Sequence, residues 1–101
     1  MKFVILFEDS RSADPGIRQR LMPEHLAFLE AHAEEIEAAG PLRDGTGAAA
    51  GGLWIVEAES EAAAERLVKA DPFWPTGLRE EFRILAWTQV YAAGRRLAAP
   101  V

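Results

Sequence analysis

The chain contains no cysteine. That excludes a disulfide framework, thiolate metal sites and cysteine nucleophiles, and it suits a reducing compartment. Positive charge is scarce too, with eleven Lys and Arg against sixteen Asp and Glu and a net charge of −5. A nucleic-acid partner needs a basic footprint that displaces counterions from phosphate. Here the basic clusters, Arg18/Arg20 and Arg95-Arg96, are small, so no nucleic-acid partner is expected. Long apolar runs are missing. Phe3–Phe7 meets Glu8-Asp9 at once and no cleavage-type segment follows, so it reads as a strand rather than a secretion signal. A membrane span would need roughly 20 apolar residues. The expectation is a cytoplasmic protein with no membrane partner.

Several reaction motifs are also absent. The glycine-rich stretch DGTGAAAGG, residues 44–52, lacks the GK[ST] ending of a phosphate loop. Ser10 and Ser60 lie outside any GxSxG context. His25 and His32 stand seven residues apart, and two helical turns separate them by about 10 Å, against the i, i+4 pair of HExxH sites. No metal and no cofactor are expected, and His32 is assigned to core or interface packing.

What is present is ordinary globular material. Half of the 101 residues are hydrophobic and 27% are charged, enough for one domain over residues 1–101 and too little for two. Phe3–Phe7 is a continuous apolar run, as in a strand buried on both faces. Asp14-Pro15-Gly16 is a breaker. Pro23 suits the first turn of a helix, with Glu24 at the positive end of its dipole. That helix is predicted to run to about Ala39, where Gly40-Pro41 stops it, with His25, Leu29, His32 and Ile36 on one face. Pro41–Arg43 reads as an edge strand and residues 44–52 as a hairpin loop. Leu53–Glu57 is a strand, and Ser60 caps a second helix that ends at Asp71-Pro72. Phe73–Gly77 is an aromatic loop and Phe82–Trp87 the last strand. The core thus covers about residues 2–88, with a tail over residues 89–101.

Strand, helix, strand, strand, helix, strand is the split βαβ, ferredoxin-like arrangement of the α+β class. Its two helices cover one face of the sheet. By alternation Phe3, Ile5 and Phe7 oppose Val4 and Leu6, Leu53 and Ile55 oppose Trp54 and Val56, and Phe82 and Ile84 oppose Leu85 and Trp87. Both faces are apolar. The face assigned Trp54, Trp87, Val4 and Leu6 is expected to meet a second copy in a homodimer, or else the C-terminal tail of the same chain.

Two residues stand out for chemistry. His25 lies on the apolar face of the first helix near its expected N-terminus, where the dipole favours a neutral imidazole able to act as base or donor. It reads as a catalytic group or as a satisfied core histidine. Asp71 sits at a helix C-terminus, where the dipole opposes an acid. It either closes an Asp-Pro turn or orients a histidine. Arg18 and Arg20 read as receivers of an anionic substrate group or as solvated loop charges. Phe73 and Trp74 wall a pocket for a planar ligand or anchor their loop.

The segments FVILFED, PEHLAFL, AAGPL, LWIVEAES, EAAAERL and ADPF, in that order over about residues 2–88, resemble the YCII-related domain family. The resemblance implies a dimeric α+β barrel built from ferredoxin-like subunits. It also implies an active site made from the histidine at the start of the first helix and the aspartate of the DPF turn, which match His25 and Asp71. Arg18 sits where many members carry arginine, whereas Met22 replaces the arginine that many have directly before the helix proline. One characterised type of member removes chloride from a chlorinated hydroxyhydroquinone.

The expected function is a cofactor-independent lyase or isomerase of a small aromatic or enolisable molecule. His25 would serve as acid or base, Asp71 as its orienting partner, and Arg18, Phe73 and Trp74 as substrate contacts. The alternative is a non-catalytic dimeric module that binds a small ligand or accompanies another protein. A cofactor-free monooxygenase is a third reading, carried by fold analogy alone.

Overall fold

The computed structural model describes residues 1–97. Strand β1 (Lys2–Asp9) is followed by helix α1 (Ile17–Ala31), strands β2 (Ile36–Arg43) and β3 (Ala49–Glu57), helix α2 (Glu61–Ala70) and strand β4 (Arg79–Ala86). The four strands pair antiparallel in the order β2-β3-β1-β4, the ferredoxin-like arrangement. Phe3, Ile5 and Phe7 of β1 pack with Trp54 and Val56 of β3 and with Ala64, Leu67 and Val68 of α2. Phe28 and Leu29 of α1 join the same cluster, so both helices cover one face.

Helix α1 differs from the sequence expectation at both ends. It begins at Ile17, and Pro23 lies inside it. Asp14 starts it: its side chain accepts the Gly16 N–H at 2.8 Å and the Arg20 guanidinium at 2.8 Å, so the apparent breaker is the helix's entry turn. A proline inside a helix typically costs about 3 kcal/mol. The offset is an apolar stripe, Ile17, Leu21, His25 and Leu29, whose first two members pack with Phe73 and Leu78 in a second core. The helix stops at Ala31 rather than near Ala39, and the Ile36 N–H closes a turn onto the His32 carbonyl at 2.8 Å. Ile36 is buried opposite Val56 as a strand residue. His25 therefore sits in mid-helix, and the helix dipole gives no reason for its charge state.

Trp54 also lies elsewhere than expected. It pairs with Ile5, and Val56 pairs with Phe3, which puts both on the helix-covered face. The open face instead carries Val4, Leu6, Leu53, Ile55 and Leu85, through the pairs Val4–Ile55, Leu6–Leu53 and Val4–Leu85. Of the glycine-alanine segment, residues 49–52 belong to β3, and residues 44–48 form a turn held by Asp44, which accepts from Thr46 N at 2.8 Å and Ala48 N at 3.1 Å. Gly51 is obligatory, because its φ is +89° and a Cβ there would stand 1.9 Å from the Phe7 carbonyl oxygen.

Helix α2 follows expectation, with the Ser60 hydroxyl accepting the Ala63 N–H at 3.1 Å. Strand β4 starts three residues earlier than Phe82, and its pairing with β1 shifts by one residue, since Glu8 faces Glu81 while Asp9 faces Arg79. Glu80 is the extra residue of this bulge. Within the tail, Tyr91–Ala92 (β5) and Arg95–Arg96 (β6) form a two-stranded hairpin, and residues 98–101 lie outside the described residues.

Candidate active site

The site grows from the end of α2. Pro72 forces the residue before it into extended backbone, and Asp71 has φ −65° and ψ 135°. That geometry turns its side chain back into the protein, where it is 1% exposed. Oδ1 accepts the Phe73 N–H at 3.3 Å, closing the turn, and also meets Nδ1 of His25 at 2.8 Å. Oδ2 accepts from Nη1 of Arg79.

Arg79 is the member of this cluster that sequence reasoning missed. Its guanidinium is buried among three rings, 4.1 Å from the Phe7 centroid, 5.3 Å from that of Trp54 and 5.4 Å from that of Phe73. Arginine's weakly hydrated, planar cation suits such a place. Burial holds its pKa below the ordinary value, opposed by the charge of Asp71. For Asp71, burial pushes the carboxyl up, but the His25 hydrogen bond, the Arg79 charge and the Phe73 N–H outweigh it and leave the pKa below 3.8. Asp71 is thus a carboxylate and can only accept. Nδ1 of His25 must then carry the proton of their bond, which leaves Nε2 as the ring's second position.

The imidazole lies against Phe73, with ring centroids 4.4 Å apart, and shares the wall with Trp54 at 6.4 Å. It lines a cleft of about 100 Å³ between α1 and the sheet. Met22, Leu26 and Leu29 form one side of the cleft, and Gly52, Trp54 and Ala39–Pro41 the other. Asp9 and Arg18 close one end, with Nη2 of Arg18 donating to Oδ2 of Asp9 at 2.6 Å. A larger hollow of about 420 Å³ lies near Met1, Ala63 and Leu67, rimmed by Glu35, Glu57 and Glu59. No histidine or arginine lines it, whereas His25, Arg18 and Arg79 line the smaller cleft.

The structure brings His25, Asp71, Arg18 and Phe73 together. Phe73 is fully buried behind the imidazole, and Arg18 lies over its ring at 5.7 Å. Trp74 is placed away from the cleft, edge-on to Phe82 at 5.4 Å. His32 packs on Phe28 at 4.6 Å, and Arg20 pairs with Asp14. Among the described residues no group of three or more His, Asp or Glu is placed to hold a metal, and no helix is long and apolar enough to cross a membrane.

Comparison with known proteins agrees with the fold. The profile of the YCII-related domain matches residues 1–88. Among solved structures, 5-chloro-2-hydroxyhydroquinone dehydrochlorinase (TftG) of Burkholderia phenoliruptrix AC1100, in complex with 2,5-dihydroxybenzoquinone, superposes with a TM-score of 0.74. The two are 32% identical over 86% of this chain and 93% of that one. The Arabidopsis thaliana protein At3g17210 reaches a TM-score of 0.48 at 16% identity, over 91% of this chain and 97% of that one, too distant to carry an argument. A search of curated proteins found no match.

Proposed function

Because the chain belongs to the YCII-related domain family, we propose that it is a cofactor-independent small-molecule lyase or isomerase, dehydrochlorinase-like, with His25 and Asp71 as its acid–base pair. The observation that carries this is the 2.8 Å contact of Nδ1 with a buried carboxylate beside a cleft lined by His25. Asp71 fixes the ring and stabilises it when protonated, and Nε2 exchanges the proton with the ligand. Arg79 holds Asp71 in its ionised form. Phe73 keeps the ring in plane from behind, and Arg18 closes the end of the substrate cleft.

Elimination of HCl from a chlorinated hydroxyhydroquinone illustrates the chemistry. A hydroxyl proton first passes to the carbon that bears chlorine, giving the keto tautomer. A base then takes a second hydroxyl proton, the electron pair released forms the π system of the quinone, and chloride leaves with the C–Cl pair. No electrons are gained or lost overall, so no oxidant or reductant is needed. A single positioned acid–base group supplies about 10²–10⁴ in rate.

The test is chloride release from 5-chloro-2-hydroxyhydroquinone, followed with an ion-selective electrode above the spontaneous rate. Wild type should turn over, and His25→Gln should lose about 10²–10⁴ of the rate. Wild-type release no faster than buffer, or an unimpaired His25→Gln, would remove the dehydrochlorinase reading and favour a ligand-binding module.

We further propose that the protein is a homodimer joined through the open sheet face. Val4, Leu6, Leu53, Ile55 and Leu85 form an apolar patch that two helices on the far side leave uncovered, and Leu85 is 40% exposed. A second sheet packed face to face would cover it. Light scattering should give twice the chain mass, reverting to the monomer in Ile55→Asp. A monomeric wild type would end this proposal.

A further inference from the structure

Asp9 presents an anomaly. Its Oδ2 is bonded to Arg18, but its Oδ1 is buried and has no hydrogen-bond partner among the described residues. Buried carboxylate oxygens are nearly always satisfied, because leaving one bare forfeits its hydration without return. The same residue lines the cleft of His25. Behind His25 the other carboxylate, Asp71, has both oxygens bonded. One acid is therefore complete, and the other, on a side chain that lines the cleft, lacks a donor.

Charge and size narrow the ligand. Asp9 and Asp71 are matched by Arg18 and Arg79, two carboxylates against two guanidiniums, so the cleft has no spare cation to receive an anion. Its walls are otherwise Met22, Leu26, Leu29, Pro41 and Trp54, and its volume of about 100 Å³ holds no more than about one six-membered ring. An ionised carboxylate is an acceptor only, so what completes Asp9 must be an O–H or N–H.

We propose that Asp9 is the positioning residue of this site, whose buried Oδ1 accepts a hydrogen bond from a hydroxyl of a neutral, single-ring ligand. This rests on reading the His25 cleft as a ligand site. It goes beyond the acid–base pair by naming the donor that the ligand must carry. Arg18 then holds Asp9 in place instead of binding an anionic substrate group. A ligand with its hydroxyl on Asp9 is anchored at one end of the cleft while His25 faces it from the α1 side.

The test is equilibrium binding, followed by amide chemical shifts in NMR, with hydroquinone and its donor-free ether 1,4-dimethoxybenzene as probes. Wild type should bind hydroquinone at least about tenfold more tightly than the ether, since losing the donor strands a buried acceptor. Asp9→Asn can turn its own amide donor toward the site, and it should bring the two affinities within about twofold of each other. 4-Hydroxybenzoate, which adds a negative charge, should bind more weakly than hydroquinone. Equal affinity of the wild type for hydroquinone and the ether, absence of hydroquinone binding, or full discrimination in a folded Asp9→Asn would each overturn the proposal. Equal affinity of the wild type for the two probes overturns the proposal without any variant, so it stays falsifiable even if Asp9→Asn does not fold. Turnover is not read here. Discrimination without chloride release would leave Asp9 standing and sink the lyase reading, and chloride release without discrimination would do the reverse.

Discussion

Two acid clusters at the cleft, an inner one behind His25 and an outer one in its lining, solve the same problem differently. In the inner cluster Asp71 is 1% exposed, and its oxygens are bonded to His25, Phe73 and Arg79 inside a wall of aromatic rings. In the outer cluster Asp9 and Arg18 make one bond, their side chains are 22% and 32% exposed, and one oxygen is left over. The lesson is a division of labour. A closed network holds the His25 ring in one geometry, whereas an open pair can accept a new partner. Removing a member of the first should damage the fold, and removing a member of the second should damage binding.

The largest effect is expected from Asp71→Ala. It strands a buried guanidinium beside an imidazole, and breaking such a pair typically costs about 3–5 kcal/mol. Urea unfolding should show a correspondingly lower midpoint. A loss below about 1 kcal/mol, the range of surface pairs, would mean that the inner cluster is no more closed than the outer one.

The pH dependence of stability sharpens the same contrast. Asp71 has a folded pKa below its ordinary 3.8, so its contribution is fully present above about pH 5 and fades as pH falls through 3.8 toward the folded value. In Asp71→Asn that segment of the acid-unfolding curve should be flatter. Slopes contributed by Asp14, Asp44 and Glu57, whose pKa values are also lowered, should persist in both proteins. Identical curves would show that Asp71 does not titrate differently on folding.

Arg79→Lys should come next. The ammonium keeps the charge but loses the flat contact with Phe7, Trp54 and Phe73, at a cost of about 1–2 kcal/mol in thermal unfolding. Lysine as stable as arginine would show that the rings contribute packing alone. The smallest change is expected from Asp9→Asn, within about 1 kcal/mol of wild type in urea, since its ion pair is partly exposed. A larger loss would dissolve the distinction between the two clusters.

How much of this was legible in the sequence depends on which signals were local. Strand β1 and the cap of α2 were readable because an unbroken apolar run and a serine before Glu61 act within a few residues. Helix α1 departs from its local signals because Pro23 mimics a start, while the real start at Asp14 looks like a breaker. His25, Leu29, His32 and Ile36 do fall at helical spacing, but Ile36 gains more by pairing opposite Val56. His25 drew attention as a polar residue on an apolar stripe, and Asp71 as an acid at the wrong end of a helix. Alternation within β3 does not say which of its two sets faces the helices; the register against β1 puts Trp54 on the helix side. Arg79 could not be found by alternation, since counting back from Ile84 and Phe82 puts Glu80 on the helix side. The bulge reverses that assignment. Asp9 looked like the polar end of a strand, and only its missing partner distinguishes it.

The bulge at Glu80 also bears on how the chain avoids misfolding. If β4 slid by one residue into unbroken pairing, Glu80 would enter beside Asp71 and Asp9, and Arg79 would turn out to solvent. Three acids would then crowd one dry corner, an arrangement that like-charge repulsion opposes strongly. A hydrophobic pattern alone would tolerate that slip, since Phe82 and Ile84 could stay where they are. At this end of the sheet the buried cation would thus favour the bulged register over the slipped one, in which an acid would have nowhere to put its charge.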